Sequence, residues 1–128
     1  MFNYLVLGLI LLDVALNVAG QLTLKHGMTK LGNFSLSLAN LASVFFQAAF
    51  SPFILLGLIC YGLGFLVWLV VLAKAEVSYA YPMISLGYVF TAVLGWMLLG
   101  EKVNDLRILG ILAICLGVYL VARSSTVP

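Results

Sequence analysis

Residues 52–73 read PFILLGLICYGLGFLVWLVVLA, twenty-two positions without a charge. A helix rises about 1.5 Å per residue, so about 20 apolar residues cross a hydrocarbon core of about 30 Å. The stretch is long enough to do so, and Pro52 suits a first helical position, where no backbone donor is needed. Working outward, three further stretches have the same character: about Asn3 to Leu24, Val77 to Gly100, and about Leu106 to Ala122, the last with Asn104 or Asp105 as its N-cap. The segment Ser37 to Phe50 differs. Ser37, Asn40, Ser43 and Gln47 are spaced by 3, 3 and 4, and they leave Leu38, Leu41, Ala42, Phe45, Phe46 and Ala49 on the other face. That pattern predicts a helix in the plane of the membrane interface, against the alternative of an extension of the second span broken by Pro52. The expected fold is all-α: one integral membrane bundle over 1–128, with four transmembrane helices and an interfacial helix before helix two. Short loops at Lys74-Ala75-Glu76 and Glu101 to Asp105 imply antiparallel neighbours.

Composition agrees. The chain has 128 residues, 65% hydrophobic and 8% charged, against roughly 45–50% and about 25% in soluble domains. Too little polar surface exists to face water. The net charge of +2 gives no argument for nucleic acid. Cys60 and Cys115 lie in apolar runs and read as small hydrophobes. His26 has no partner cluster with metal-ligand spacing. No nucleophile–base pair or phosphate loop is evident, so neither enzyme activity nor a cofactor or metal is expected. Met-Phe-Asn-Tyr carries no basic n-region, so the first span reads as a retained helix and not as a signal peptide. Lys25, Lys30, Lys102 and Arg107 fall on one side of the membrane and Lys74 and Arg123 on the other. The four-to-two count puts the first and third loops in the cytoplasm. That margin vanishes if Lys25 belongs to a site and Arg107 is set aside.

The candidate site starts with Asp13, Asn17, Gln21 and Lys25 of the first span. Each step of four advances about 40° around a helix, so they form one winding polar stripe. A carboxylate within a span costs about 2.5–3.5 kcal/mol on insertion scales, which marks Asp13 as functional. In the third span Ser78, Tyr81, Ser85 and Tyr88 share about 80° of arc and read as a polar, aromatic cavity wall. The alternative, tyrosines at the membrane interface, suits Tyr79 and not the deeper Tyr88. Pro82 predicts a kink or hinge. Gly87, Thr91 and Gly95 read as a close-packing ridge, Gly57, Gly62 and Gly64 as packing positions, and Gly110, Ala113 and Gly117 as a face that admits another helix or a second subunit.

These residues resemble the drug/metabolite transporter superfamily in its short four-helix form, over nearly the whole chain. Gly110 through Gly117, with Cys115 between, is similar to the last helix of small multidrug exporters, in which two glycines seven apart make the dimer contact. That likeness implies a dimer. The exporters' functional glutamate, eight residues before a lysine, falls at Asn17 here, and their stacking tryptophan falls at Ile84. The tyrosine three before it is matched by Tyr81. A closer resemblance is to the paired subunits that flip undecaprenyl-phosphate-linked aminoarabinose in lipid A modification. Val18-Ala19-Gly20-Gln21-Leu22 followed by Lys25 looks like their first-helix motif. Ala80-Tyr81-Pro82-Met83 with Ser85-Leu86, and Glu101 beyond, looks like their third.

The resemblance implies a flippase, or a flippase subunit, of the bacterial inner membrane that moves a lipid-linked sugar by alternating access, as a homodimer or as a heterodimer with a related small subunit. Lys25 would attract the phosphate, and Asn17 and Gln21 would meet hydroxyls. Asp13 would meet an amino group or carry a proton. Tyr81, Ser85 and Tyr88 would line the opposing wall, with Pro82 as hinge and Gly110 and Gly117 at the dimer contact. Two other functions fit the residues: a proton-coupled small-cation exporter, and a non-transporting membrane subunit supporting a glycosyltransferase. Asn17 and Gln21 also suit plain interhelical bonding, and Lys25 suits snorkelling to the headgroups.

Overall fold

The computed structural model describes residues 4–124. They form six helices: α1 (Tyr4–Leu31), α2 (Leu38–Ala49), α3 (Pro52–Lys74), α4 (Val77–Met83), α5 (Leu86–Leu99) and α6 (Asp105–Arg123). With α4 and α5 counted as one interrupted span, four are long and apolar enough to cross a membrane. Leu55, Leu58, Leu63, Leu66, Leu98, Leu109, Leu112 and Leu116 all turn outward. So much apolar surface suits lipid and not water. The chain is a multi-pass membrane protein.

Helix ends differ from expectation where hydropathy and backbone chemistry part. The expected start of the first span at Asn3 lies outside the described residues. Its expected end, Leu24, is exceeded by seven residues. The polar residues from Lys25 onward mark where the chain leaves the hydrocarbon, and nothing in them breaks a helix. Gly32, at φ +79, ends it in the left-handed conformation that glycine adopts most easily. Elsewhere the caps follow the sequence. Ser37 caps α2 by accepting from the Asn40 N–H at 3.3 Å. Pro52 opens α3. Asn104, rather than Asp105, caps α6, with the Arg107 N–H donating to its Oδ1 at 2.8 Å.

Helix α2 is separate from α3, with Phe50 and Ser51 between them. Its Leu38, Phe45 and Phe46 are exposed, and so is Phe50 just beyond it, as a helix in the interface plane requires. The third span breaks just past Pro82, which lacks the N–H that an unbroken helix would use. The chain crosses the gap on tighter three-residue bonds, Ile84 N–H to Tyr81 O at 3.1 Å and Ser85 N–H to Pro82 O at 3.0 Å.

Helix α1 is central. Val6, Ile10, Val14 and Val18, four residues apart, form its core-facing row with Val71, Ala80, Met83 and Val118 from the other helices. Its main partner is α3 and its second is α5, while α3 and α4, neighbours in sequence, touch little. The tight crossing lies between Gly20 and Gly57. A Cβ on Gly57 would sit 2.7 Å from Leu24 Cγ and 3.1 Å from the Gly20 carbonyl oxygen.

Several glycine and tyrosine assignments change. A Cβ on Gly62 would meet nothing within 4 Å among the described residues, so Gly62 marks no close helix approach. Gly87 faces α1 at ordinary contact distance. Gly95, expected on a helix-packing ridge, is instead covered by Glu101, whose Oε2 would lie 2.9 Å from an added Cβ. The turn after α5 folds that carboxylate back, and the Glu101 N–H bonds the Gly95 carbonyl at 3.2 Å. Tyr79, which suited an interface marker, is a core residue at 7% exposure.

Candidate functional site: a carboxylate chamber between α1, α3 and α4

The polar stripe runs one position behind the core row of α1, and this offset turns it toward α3. Asp13 is 2% exposed. Its neighbour across the helix gap is Gly64, where a Cβ would lie 3.0 Å from Asp13 Oδ1 and 3.4 Å from Asn17 Nδ2. Glycine is what lets the carboxylate lie against the α3 backbone. One turn on, Asn17 Nδ2 donates to Asp13 Oδ1 at 3.1 Å and to the Asp13 carbonyl at 2.8 Å. The amide orients the carboxylate and satisfies part of its acceptor capacity.

Around this pair lies an open chamber of about 300 Å³, lined by Tyr61, Gly64, Phe65 and Trp68 of α3, by Tyr81 of α4 and by Ile84 at the helix break; Phe65 and Tyr81 are exposed at its mouth. Trp68 and Tyr81 meet edge to face, with centroids 6.0 Å apart and planes at 63°. Gln21, the third member of the stripe, interacts through its side chain with Tyr61, which ties it to the chamber's rim.

The expected site residues therefore divide. Asp13, Asn17 and Tyr81 share one chamber, and Gln21 joins through Tyr61. Lys25 is exposed farther along α1 and does not line it. Ser85 sits in the break before α5, and Tyr88 is 68% exposed on α5; neither lines the chamber. The break after Pro82 lies between Tyr81 and Ile84, so any bend there moves part of the chamber wall. Lys30 rests its ammonium 4.5 Å from the Phe53 ring, and His26 packs edge-on to the same ring at 4.6 Å. Gly110 and Gly117 are exposed, and a Cβ added at either would meet no other element among the described residues within 4 Å.

The α3 wall was not anticipated. Tyr61, Gly64, Phe65 and Trp68 follow the i, i+3, i+4, i+7 rhythm of one helix face. Read together with the stripe on α1, that rhythm was the available signal.

A four-span bundle with a buried carboxylate in a midspan chamber defines a class: a small membrane transporter of the drug/metabolite type. The chain belongs to the EamA-like transporter family, whose family profile matches residues 2–123. Similar proteins include one from Pseudomonas savastanoi pv. phaseolicola named "Probable 4-amino-4-deoxy-L-arabinose-phosphoundecaprenol flippase subunit ArnE". It is 39% identical over 75 residues, which cover 59% of this chain and 66% of that protein. Proteins of the same name from Pseudomonas aeruginosa (strain UCBPP-PA14) and Klebsiella pneumoniae (strain 342) are each 39% identical. These matches cover 59% and 54% of this chain and 65% and 62% of theirs. The chain thus spans slightly under two thirds of the curated relatives it matches. No solved structure matches it.

Proposed function

We propose that the protein is a flippase subunit that moves a polyprenyl-phosphate-linked sugar, of the 4-amino-4-deoxyarabinose kind, across the bacterial inner membrane by alternating access. The observation that carries this reading is the Asp13 chamber: a buried carboxylate at the middle of a span, beside polar and aromatic groups, in a chain similar to proteins named for that lipid. An ionisable residue inside a membrane marks a substrate or ion path by default.

In this reading Lys25 attracts the phosphate at the membrane edge as a point charge. Gln21, Asn17 and Tyr81 offer hydrogen bonds to the sugar as it enters. The polyprenyl tail stays in lipid. Bending at the Pro82 break, with Ser85 and Tyr88 on its far side, opens the chamber to one face and then the other. The outward small-residue face at Gly110 and Gly117 receives a second small subunit, the same chain or a related one.

The test is transport of the lipid-linked aminosugar in vesicles that contain the purified chain alone or with a related small subunit. Wild type moves the lipid, and Asp13→Asn, Gln21→Ala and Lys25→Ala each slow it. Full transport by all three variants would sink the assignment. Movement of small organic cations without movement of lipid would favour the exporter reading, which a carboxylate among aromatic rings also suits.

A further inference from the structure

The Asp13 chamber has a feature that the path described above does not use. Its wall brings a carboxylate and several aromatic rings together, and among the described residues no Lys, Arg or His lines it. Along α1 the next cation toward the membrane edge is Lys25, twelve residues on, or about 18 Å at 1.5 Å per residue. A carboxylate held inside a span normally has a named partner. Here the protein supplies one amide, Asn17, and leaves the cationic partner to come from elsewhere. The rings of Tyr61, Trp68 and Tyr81 offer faces that attract a cation within about 6 Å. The space also matters. A carboxyl group that only carried a proton would need no such opening, whereas the space beside Asp13 admits a small polar group. Gly64 keeps that room open beside Asp13 Oδ1.

A second constraint is length. In a 4-aminopentose 1-phosphate, six covalent bonds separate nitrogen from phosphorus, so the two lie at most about 9 Å apart. The Asp13 and Lys25 backbones are about 18 Å apart along α1. One headgroup could touch both only with the Lys25 side chain extended toward the chamber.

We propose that the chamber is an ammonium-reading station: Asp13, with the rings of Tyr61, Trp68 and Tyr81, holds the protonated amino group of the sugar. This inference rests on the lipid-sugar reading and assigns the group recognised at its central site. Tyr61 and Trp68 become specificity residues. Lys25 acts on any polyprenyl phosphate, and the chamber acts only on aminated headgroups.

The experiment uses vesicles with the full chain and its assembly partner, loaded with either the 4-amino lipid or its N-formylated counterpart, which loses the positive charge and gains only a formyl group. Wild type moves the amino lipid at least about tenfold faster, the factor expected from one charge-assisted hydrogen bond. Asp13→Asn slows the amino lipid far more than the N-formyl lipid and so removes the preference, whereas Lys25→Ala slows both lipids by the same factor. Trp68→Ala narrows the preference and Trp68→Phe keeps most of it. Equal slowing of both lipids by Asp13→Asn would overturn the inference while leaving the flippase reading in place. Movement of neither lipid by wild type would overturn both.

A binding measurement separates recognition from transport. The chain has two tryptophans, Trp68 and Trp96, so Trp96→Phe leaves Trp68 as the sole indole reporter. A soluble methyl 4-amino-4-deoxyarabinoside should change its fluorescence saturably, the N-formyl glycoside should not, and Asp13→Asn should abolish the response. Equal responses to the two glycosides would refute ammonium recognition.

Discussion

Replacing Gly57 by alanine tests whether the Gly20–Gly57 crossing sets the position of α1 against α3. The new methyl would lie 2.7 Å from Leu24 Cγ, 2.8 Å from Leu24 Cδ2 and 3.1 Å from the Gly20 carbonyl oxygen. Carbon atoms pack comfortably at about 3.5–4.0 Å, so the side-chain overlap approaches 1 Å. Leu24 can rotate away, but the Gly20 oxygen is backbone and moves only with the helix. Overpacking of this kind costs about 1–3 kcal/mol. The alanine recovers about 0.5–1 kcal/mol of helix preference, which leaves a net loss of about 0–2.5 kcal/mol, centred near 1. Gly62→Ala, five residues on in the same helix, where a Cβ would meet nothing within 4 Å, keeps the propensity gain and should be neutral or stabilising. Unfolding of the purified protein in mixed micelles with increasing dodecyl sulfate, followed by tryptophan fluorescence, reads the difference. Leu24→Ala should cost less in the Gly57→Ala background than in wild type, because it removes the group that the new methyl strikes; contacting pairs couple by about 0.5–3 kcal/mol. If Gly57→Ala and Gly62→Ala unfold together, or Leu24→Ala costs the same in both backgrounds, the crossing does not hold the helices as described.

Other substitutions probe separate parts of the structure. Gly64→Ala places a methyl 3.0 Å from Asp13 Oδ1 and should slow transport of the aminated lipid several-fold while the unfolding midpoint changes little. A variant that unfolds instead would show that Gly64 is a packing residue alone. Asn104→Ala removes the N-cap bond of α6 and should lower stability by about 1 kcal/mol, measured in the same dodecyl sulfate titration against wild type. Gly110→Leu with Gly117→Leu adds bulk where a Cβ would meet nothing within 4 Å among the described residues. The monomer should keep its fold, and chemical cross-linking in membranes should show loss of the paired species; undiminished pairing would move the subunit contact to another face.

The sequence disclosed elements better than faces. Unbroken apolar length marked the four spans, because a single segment crossing a bilayer satisfies its own backbone only as a helix, and the spacing of Ser37, Asn40, Ser43 and Gln47 marked α2. Pro82 announced its break for a similarly local reason. Partners were harder to read, because a glycine signals only that something comes close. At Gly57 the close neighbour is a helix, at Gly64 it is the Asp13 carboxylate, at Gly95 it is the chain's own Glu101, and at Gly62 a Cβ would meet nothing within 4 Å. Polar residues in the first span were legible as a site for the opposite reason, since each stands out against lipid. Tyr61 and Trp68 do not, because aromatic rings are also ordinary membrane residues. Only their placement opposite Asp13 gives them a role.

That placement explains how this chain departs from the small multidrug exporters it resembles. The exporters' acid position is occupied here by Asn17 and their tryptophan position by Ile84. Taken one at a time, both look like losses of function. In the structure Asn17 and Ile84 line the same chamber as Asp13 and Trp68, so acid and indole are both present, each supplied from another position. The carboxylate comes from one turn deeper on α1, and the indole from α3. Asn17, left where the acid would be, now orients the acid. The double exchange Asp13→Asn with Asn17→Asp tests this account. It returns the carboxylate to the shifted position, about 6 Å along the axis at 1.5 Å per residue, with the charge still inside the chamber and the amide still one turn away. The exchange should recover a substantial part of the preference for aminated over N-formylated lipid that Asp13→Asn alone abolishes. The comparison uses the vesicle assay, with equal protein incorporation checked for every variant. If the exchanged protein discriminates no better than Asp13→Asn, the chamber does not read charge as a unit, and Asp13 acts through a geometry that its position alone provides.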